Sequence, residues 1–152
     1  MGIQEEIKQS FRSSHQKAAI NIIFTHRWLN EIVRHFLKGE ALTPQQYNVL
    51  RILRGAAPHP LSTLQIRERM LDKMSDTPRI VDRLVKKKLA SKKACANDKR
   101  LVDVLISQEG LALLARIDTR EKFLDEALSA LSPEEAEQLS ALLDKARSRE
   151  SD

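Results

Sequence analysis

Apolar residues recur every four positions from Ala18 to Leu37, at Ile20, Phe24, Trp28, Ile32 and Phe36, with Ile22, Ile23, Leu29, Val33 and Leu37 widening the stripe. This period predicts a long helix with a broad buried face, ending near Gly39. Thr43-Pro44-Gln45-Gln46 then supplies an N-cap, a proline at the first helical position and a glutamine placed to reach back to the cap. A second helix follows, with Tyr47, Leu50 and Leu53 inward, and Gly55 to Pro60 reads as a breaker-rich loop. Ser62-Thr63-Leu64-Gln65 repeats the cap logic and opens a short helix carrying Leu64, Ile66 and Met70.

Ser75 offers the next cap, and Pro78 falls in a first turn, where its missing N–H has no intrahelical partner to lose. The expected helix runs from about Asp76 to Lys88. Ile80, Val81, Leu84 and Val85 face inward, whereas Arg79, Arg83, Lys86 and Lys87 lie outside. The period then changes to that of a hairpin: Leu89 to Cys95 and Leu101 to Ile106 read as strands around an Asn97-Asp98 turn. Ser107 caps a long fifth helix whose seam is Leu114, Ile117, Leu124, Leu128 and Leu131. Ser132-Pro133-Glu134-Glu135 is a capping box opening a last helix with Leu139, Leu142, Leu143 and Ala146.

Two short helices joined by a tight turn, the second basic on its outer side, form a helix-turn-helix, and a basic hairpin after it is a wing. Charge sharpens this picture. Nine Lys or Arg stand between Arg79 and Arg100 against Asp82 and Asp98, a local net charge of +7, while the whole 152-residue chain is only +5. The other 130 residues therefore sum to −2, and all the basic excess is focused on one helix and one hairpin, as a polyanion partner requires. With 41% hydrophobic and 31% charged residues, four Gly and five Pro, the chain reads as a largely helical single folding unit.

Other chemistry is thinly represented. Aromatic residues are 4% of the chain, too few for single-strand binding on stacked rings. His26 and His35 are nine apart and point to opposite helix faces; His15 and His26 share a face but lie about 16 Å apart along the axis. His59 is in a loop, so no metal site within one element and no cofactor is expected. There is no glycine-rich phosphate loop, no Gly-x-Ser-x-Gly and no nucleophile beside a base, so no enzyme is expected. Cys95 is alone, which fits a reducing compartment, and is read as an ordinary strand residue rather than a thiol sensor beside Lys92 and Lys93. The polar N-terminus and the lack of an apolar span of about 18 residues point to a soluble, cytoplasmic protein with no membrane association.

Three readings fit these residues: a dimeric DNA-binding transcription regulator, a helical protein-interaction adaptor with an incidental basic surface, and an RNA or membrane-surface binder using the same charge. The two apolar seams, Ala18 to Leu37 and Leu114 to Leu131, offer more surface than one lobe covers, so a homodimer is expected.

Leu42-Thr43-Pro44-Gln45-Gln46-Tyr47, the stretch Ser75 to Leu89, Asn97-Asp98-Lys99-Arg100-Leu101-Val102 and Ser107-Gln108-Glu109-Gly110 together resemble the MarR family of bacterial winged helix-turn-helix regulators. The resemblance implies a mainly α fold with a small β-hairpin wing, in which 1–40 and 107–152 form a helical dimerisation region and 41–106 the DNA-binding lobe. It implies a recognition helix using Ser75, Asp76, Thr77, Pro78, Arg79, Arg83 and Lys86 in the major groove, and a wing using Asp98, Lys99 and Arg100 at the minor groove. The implied partners are duplex DNA with an inverted repeat, a second copy of the chain and a small-molecule effector whose pocket no residue identifies; many members are repressors. Two positions depart from the family pattern. Lys88 stands where a glycine commonly ends the recognition helix, so a different helix end is expected, and Pro78 removes a backbone donor from the helix start.

Overall fold

A computed structural model describes residues 1–98, 100–120 and 122–148 and divides into two compact units, Met1–Thr119 and Arg120–Asp152. In the first unit the order is α1 (Ile3–Ile7), α2 (Ser14–Leu37), a 3-10 turn (Lys38–Glu40), α3 (Pro44–Ala56), α4 (Thr63–Arg69), α5 (Thr77–Lys86), β1 (Ala90–Ala94), β2 (Val102–Ile106) and α6 (Gln108–Asp118). The second unit holds α7 (Phe123–Ala127) and α8 (Pro133–Arg147).

Capping decides most of these boundaries. The hydroxyls of Thr43, Ser62 and Ser132 each accept the backbone N–H three residues on, from Gln46, Gln65 and Glu135, whose side chains return a bond to the cap N–H. Each box satisfies two donors a helix start otherwise leaves open. Elsewhere the chain departs from the expected ends. α2 ends at Leu37, near Gly39 as expected, but the chain then tightens through Lys38–Glu40, and it is Ala41 that takes the left-handed conformation, at φ 52°. Gly55 sits inside α3, which runs two residues into the expected loop because the Ala57 N–H still reaches the Leu53 carbonyl. Leu64 is exposed, since α4 buries only Ile66 and hands over to Met70.

The core of the first unit is built by α3, α5 and α6 closing on the hairpin. Val49, Leu50, Ile66, Leu84, Val104, Leu114 and Ile117 are completely buried there. Each such side chain contributes on the order of 1.5–3 kcal/mol relative to exposure. The hairpin is antiparallel, pairing Ala90 with Ile106, Lys92 with Val104 and Ala94 with Val102. Leu61 adds a single antiparallel bridge on the other side of β2, exchanging both backbone bonds with Val104 at 3.0 and 2.8 Å.

The long helices hold two corrections. The sequence predicts a buried stripe along α2, yet only Leu37 is buried, with Val33 and Phe36 packed against the core, while Ile22, Ile23, Phe24 and Trp28 are exposed. The expected fifth helix is not continuous: α6 stops at Asp118 and α7 begins at Phe123, so the seam Leu114 to Leu131 is interrupted. At the break the Thr119 hydroxyl donates back to the Arg116 carbonyl at 2.7 Å, and Asp118 is drawn to Arg54 at 2.6 Å. Such local back-bonding competes with helix continuation. On α8, Leu139 and Leu142 are likewise exposed.

Candidate nucleic-acid interface

Helix α5 starts one residue later than expected. The N-cap is Asp76 rather than Ser75: its carboxylate accepts the Arg79 N–H at 3.3 Å and places negative charge at the positive end of the helix dipole. Pro78 occupies the second helical position, where no intrahelical bond is lost. The residues expected to face outward do so, with one exception. Asp76, Pro78, Arg79, Arg83 and Lys86 are exposed and Ser75 is half-buried, but Thr77 points into the core and donates its hydroxyl to the Met70 sulfur at 3.4 Å. One face of α5 belongs to the core, and Thr77 shares it with Val81 and Leu84. Thr77 is therefore removed from the contact surface.

Arg79 and Arg83 line an open groove of about 370 Å³ whose other walls are Thr43, Gln45 and Gln46 of the α3 start, Asp72, Ser75 and Asp76 of the α4–α5 turn, and Ile80. The polar lining from α3 has no counterpart among the sequence expectations, because nothing in the local sequence says that the α3 cap abuts α5. Apolar spacing reports what is buried, not which polar residues gather at an edge.

The end of α5 also differs from expectation, in the opposite sense. Lys88 in place of glycine predicts a helix end without the left-handed turn, yet Lys88 adopts that turn, at φ 63°. The Leu89 N–H reaches the Leu84 carbonyl and the Lys88 N–H the Val85 carbonyl, both at 2.9 Å, which is the paired-bond termination usually built on glycine. A non-glycine pays about 1–2 kcal/mol for that conformation. The compensating bond comes from Ser107, whose hydroxyl donates to the Lys88 carbonyl at 2.7 Å while accepting the Gly110 N–H at 3.0 Å. Gly110 is required by space: a Cβ there would lie 2.3 Å from the Leu89 carbonyl oxygen and 2.7 Å from Ile106 Cγ1. The Ser-x-x-Gly pattern thus joins the helix end, the hairpin base and the start of α6.

At the hairpin, Lys92 on β1 pairs with Asp82 on α5, tying wing to helix. At the tip, the Asp98 carboxylate accepts the Arg100 N–H at 3.0 Å and the Arg100 guanidinium at 3.1 and 3.2 Å. These bonds, the guanidinium first, hold the Asp98 carboxyl below the usual carboxylate range. The Arg100 side chain remains 90% exposed, so the pairing orients it without hiding it. Lys99 lies outside the described residues. Cys95 is half-buried just past β1, its N–H donating to the Leu101 carbonyl. Among the described residues no group of three or more His, Cys, Asp or Glu is placed to hold a metal ion, and no helix is long and apolar enough to cross a membrane.

Residues 42–102, the span from the α3 cap to the start of β2, match the model of the MarR family. Over that span the chain resembles the MarR family. It is 29% identical over 119 residues to the HTH-type transcriptional regulator MhqR of Bacillus subtilis, covering 78% of this chain and 81% of that protein. The MarR transcription factor of Planctomyces limnophilus superposes with a TM-score of 0.68 at 29% identity, covering 89% of this chain and 98% of that one. A mutant MarR from E. coli complexed with operator DNA gives a TM-score of 0.81 at 21% identity over 92% of this chain and all of the other, a likeness of fold. The family and these relatives are transcription factors, and the chain is a MarR-type DNA-binding transcription regulator with a winged helix fold.

Proposed function

We propose that this MarR-family chain acts in the cytoplasm as a homodimeric, ligand-responsive repressor that binds an inverted repeat in duplex DNA, with no catalytic role of its own. The observation carrying the reading is one exposed basic surface made by two joined elements: Arg79, Arg83 and Lys86 on α5, and Arg100 on a wing fixed to α5 through Asp82 and Lys92. In this reading Arg79, one turn into the helix, reaches base edges in the major groove, with Ser75, Asp76, Pro78 and Arg83 beside it. Lys86, farther along, meets phosphate, and Asp98 presents Arg100, with Lys99, to phosphate or the minor groove. Residues 41–106 form the DNA-binding lobe, and 1–40 with 107–152 the dimer region, which gives the exposed apolar side chains of α2 and α8 a partner. Two lobes on a twofold axis require half-sites about 10 base pairs apart.

A salt-series titration of wild type, Arg79→Ala and Arg100→Ala on a duplex enriched from random-sequence DNA and on bulk random duplex tests the assignment. Arg79→Ala costs about 1–3 kcal/mol on the enriched duplex with less effect on random DNA, whereas Arg100→Ala weakens both and lowers the salt slope by about one unit. Equal wild-type affinity for the two duplexes, or no loss in either variant, favours the adaptor reading instead.

A further inference from the structure

Lys87 is the one lysine of the run 86–88 whose ammonium is engaged within the described structure. It is the C-terminal cap residue of α5, and its Nζ donates to the Ala41 carbonyl and, at 3.1 Å, to Gln46 Oε1. Both acceptors belong to the junction where the 3-10 turn after α2 passes into α3. Ala41 is there in the left-handed conformation. Gln46 is 4% exposed, and the same Oε1 accepts the Thr43 N–H at 3.3 Å to complete the α3 capping box. One ammonium therefore joins the end of α5, the cap of α3 and the exit from α2. Both lysines are exposed on the outer side of α5, as the sequence expects, but among the described residues Lys86 has no such tether.

We infer that Lys87 is a positioning residue for DNA recognition rather than a phosphate contact: its bonds to Ala41 and Gln46 fix the angle of α5 against the chain leading from α2. Thr77 anchors the N-terminal end of the same helix to Met70, so α5 is held at both ends, and Gln46, which accepts from Lys87, is itself a wall of the groove holding Arg79 and Arg83. A cation already held by two acceptors has lost the freedom to follow a phosphate, and its loss shifts the helix instead of uncovering a charge. The inference rests on the DNA-binding reading above, and counterion release separates the two roles. Each lysine that neutralises a phosphate contributes about 0.9 to the salt slope, and a lysine that only orients a helix contributes close to nothing.

Lys87→Met and Lys86→Met, both folded by circular dichroism, are to be titrated over a salt series on a duplex enriched from random-sequence DNA by the wild-type protein, and on bulk random duplex. Lys87→Met is expected to lose about tenfold on the enriched duplex, the scale of one misread base pair, with random-duplex affinity and salt slope unchanged. Lys86→Met is expected to weaken both duplexes and lower the slope by about one unit. A fall in slope for Lys87→Met matching that of Lys86→Met overturns the inference, as does wild-type affinity of Lys87→Met for the enriched duplex. Failure of the wild-type protein to enrich any duplex defeats the DNA-binding reading and this inference with it. The wild-type chain supplies a second measurement, independent of how the variants fold. The Lys87 ammonium protons should exchange slowly with water in the free protein, and their resonance should stay in place when random duplex is added. A Lys87 resonance that exchanges as fast as that of Lys86, or moves with it on adding duplex, overturns the inference.

Discussion

The Ser107 hydroxyl donates to the Lys88 carbonyl at 2.7 Å, so the first residue before α6 stabilises the last turn after α5. The same oxygen caps α6 by accepting the Gly110 N–H. Ser107→Ala removes both bonds at once, and is expected to lower stability by about 1–2 kcal/mol, more than a cap loss alone typically costs. Urea unfolding should show a lower midpoint at unchanged m; a loss below about 0.5 kcal/mol would mean that water replaces the hydroxyl on both sides.

Lys88→Gly acts on the other partner. Glycine relieves the left-handed strain of about 1–2 kcal/mol, while its freer unfolded chain returns roughly 0.4–1 kcal/mol, leaving a net gain between about 0 and 1.6 kcal/mol. Thermal unfolding of the two chains side by side checks the sign.

The caps at Thr43 and Ser62 are legible in the amino-acid sequence because a capping box is a local device, complete within four residues. The same locality explains the failures. Asp76 displaces Ser75 as cap of α5 because both residues can cap and only packing of Thr77 into the core sets the phase. Lys88 keeps a glycine-like helix end because of Ser107, nineteen residues away, which no local pattern reports. The break after Asp118 is supported by Arg54, sixty-four residues back, and the groove beside Arg79 needs α3 and α5 side by side. The outward face of α5 is legible from its period; the role of Lys87 is not, since both its acceptors are distant in sequence.

The wing tip has a pH signature. Because the Arg100 guanidinium and N–H favour ionised Asp98, its carboxyl titrates below the ordinary carboxylate value. The depressed value means that the Asp98–Arg100 contribution is fully present above the unfolded carboxylate's pKa and is lost as pH falls through the folded one. A carbon-detected NMR titration should place the Asp98 midpoint below that of an unpaired aspartate, and Arg100→Ala should move it up toward that reference. An unchanged midpoint in the variant would show that Arg100 is not the cause.

Assembly follows from exposure. Ile23 is 63% and Leu142 65% exposed in a single chain, and Phe24, Trp28 and Leu139 are 38–42% exposed, an arrangement that calls for a partner surface. Sedimentation at micromolar concentration should show a dimer of the 17.3 kDa chain, and removal of residues 124–152 should give a monomeric or insoluble product. A monomer throughout that range contradicts the expectation.

The link between Asp82 and Lys92 has a mechanical meaning. Helix α5 and the hairpin are joined by an ion pair midway along both and by Ser107 at their shared base, so the lobe offers the duplex a span of set width rather than two independent fingers. On the proposed docking that span bridges adjacent grooves and works as a caliper. Duplexes whose groove widths already match it are gripped without deformation, and stiff sequences that do not match must be bent or compressed to fit. The lobe can thereby discriminate at base pairs it never touches, and weakening the Asp82–Lys92 join should blur that discrimination first.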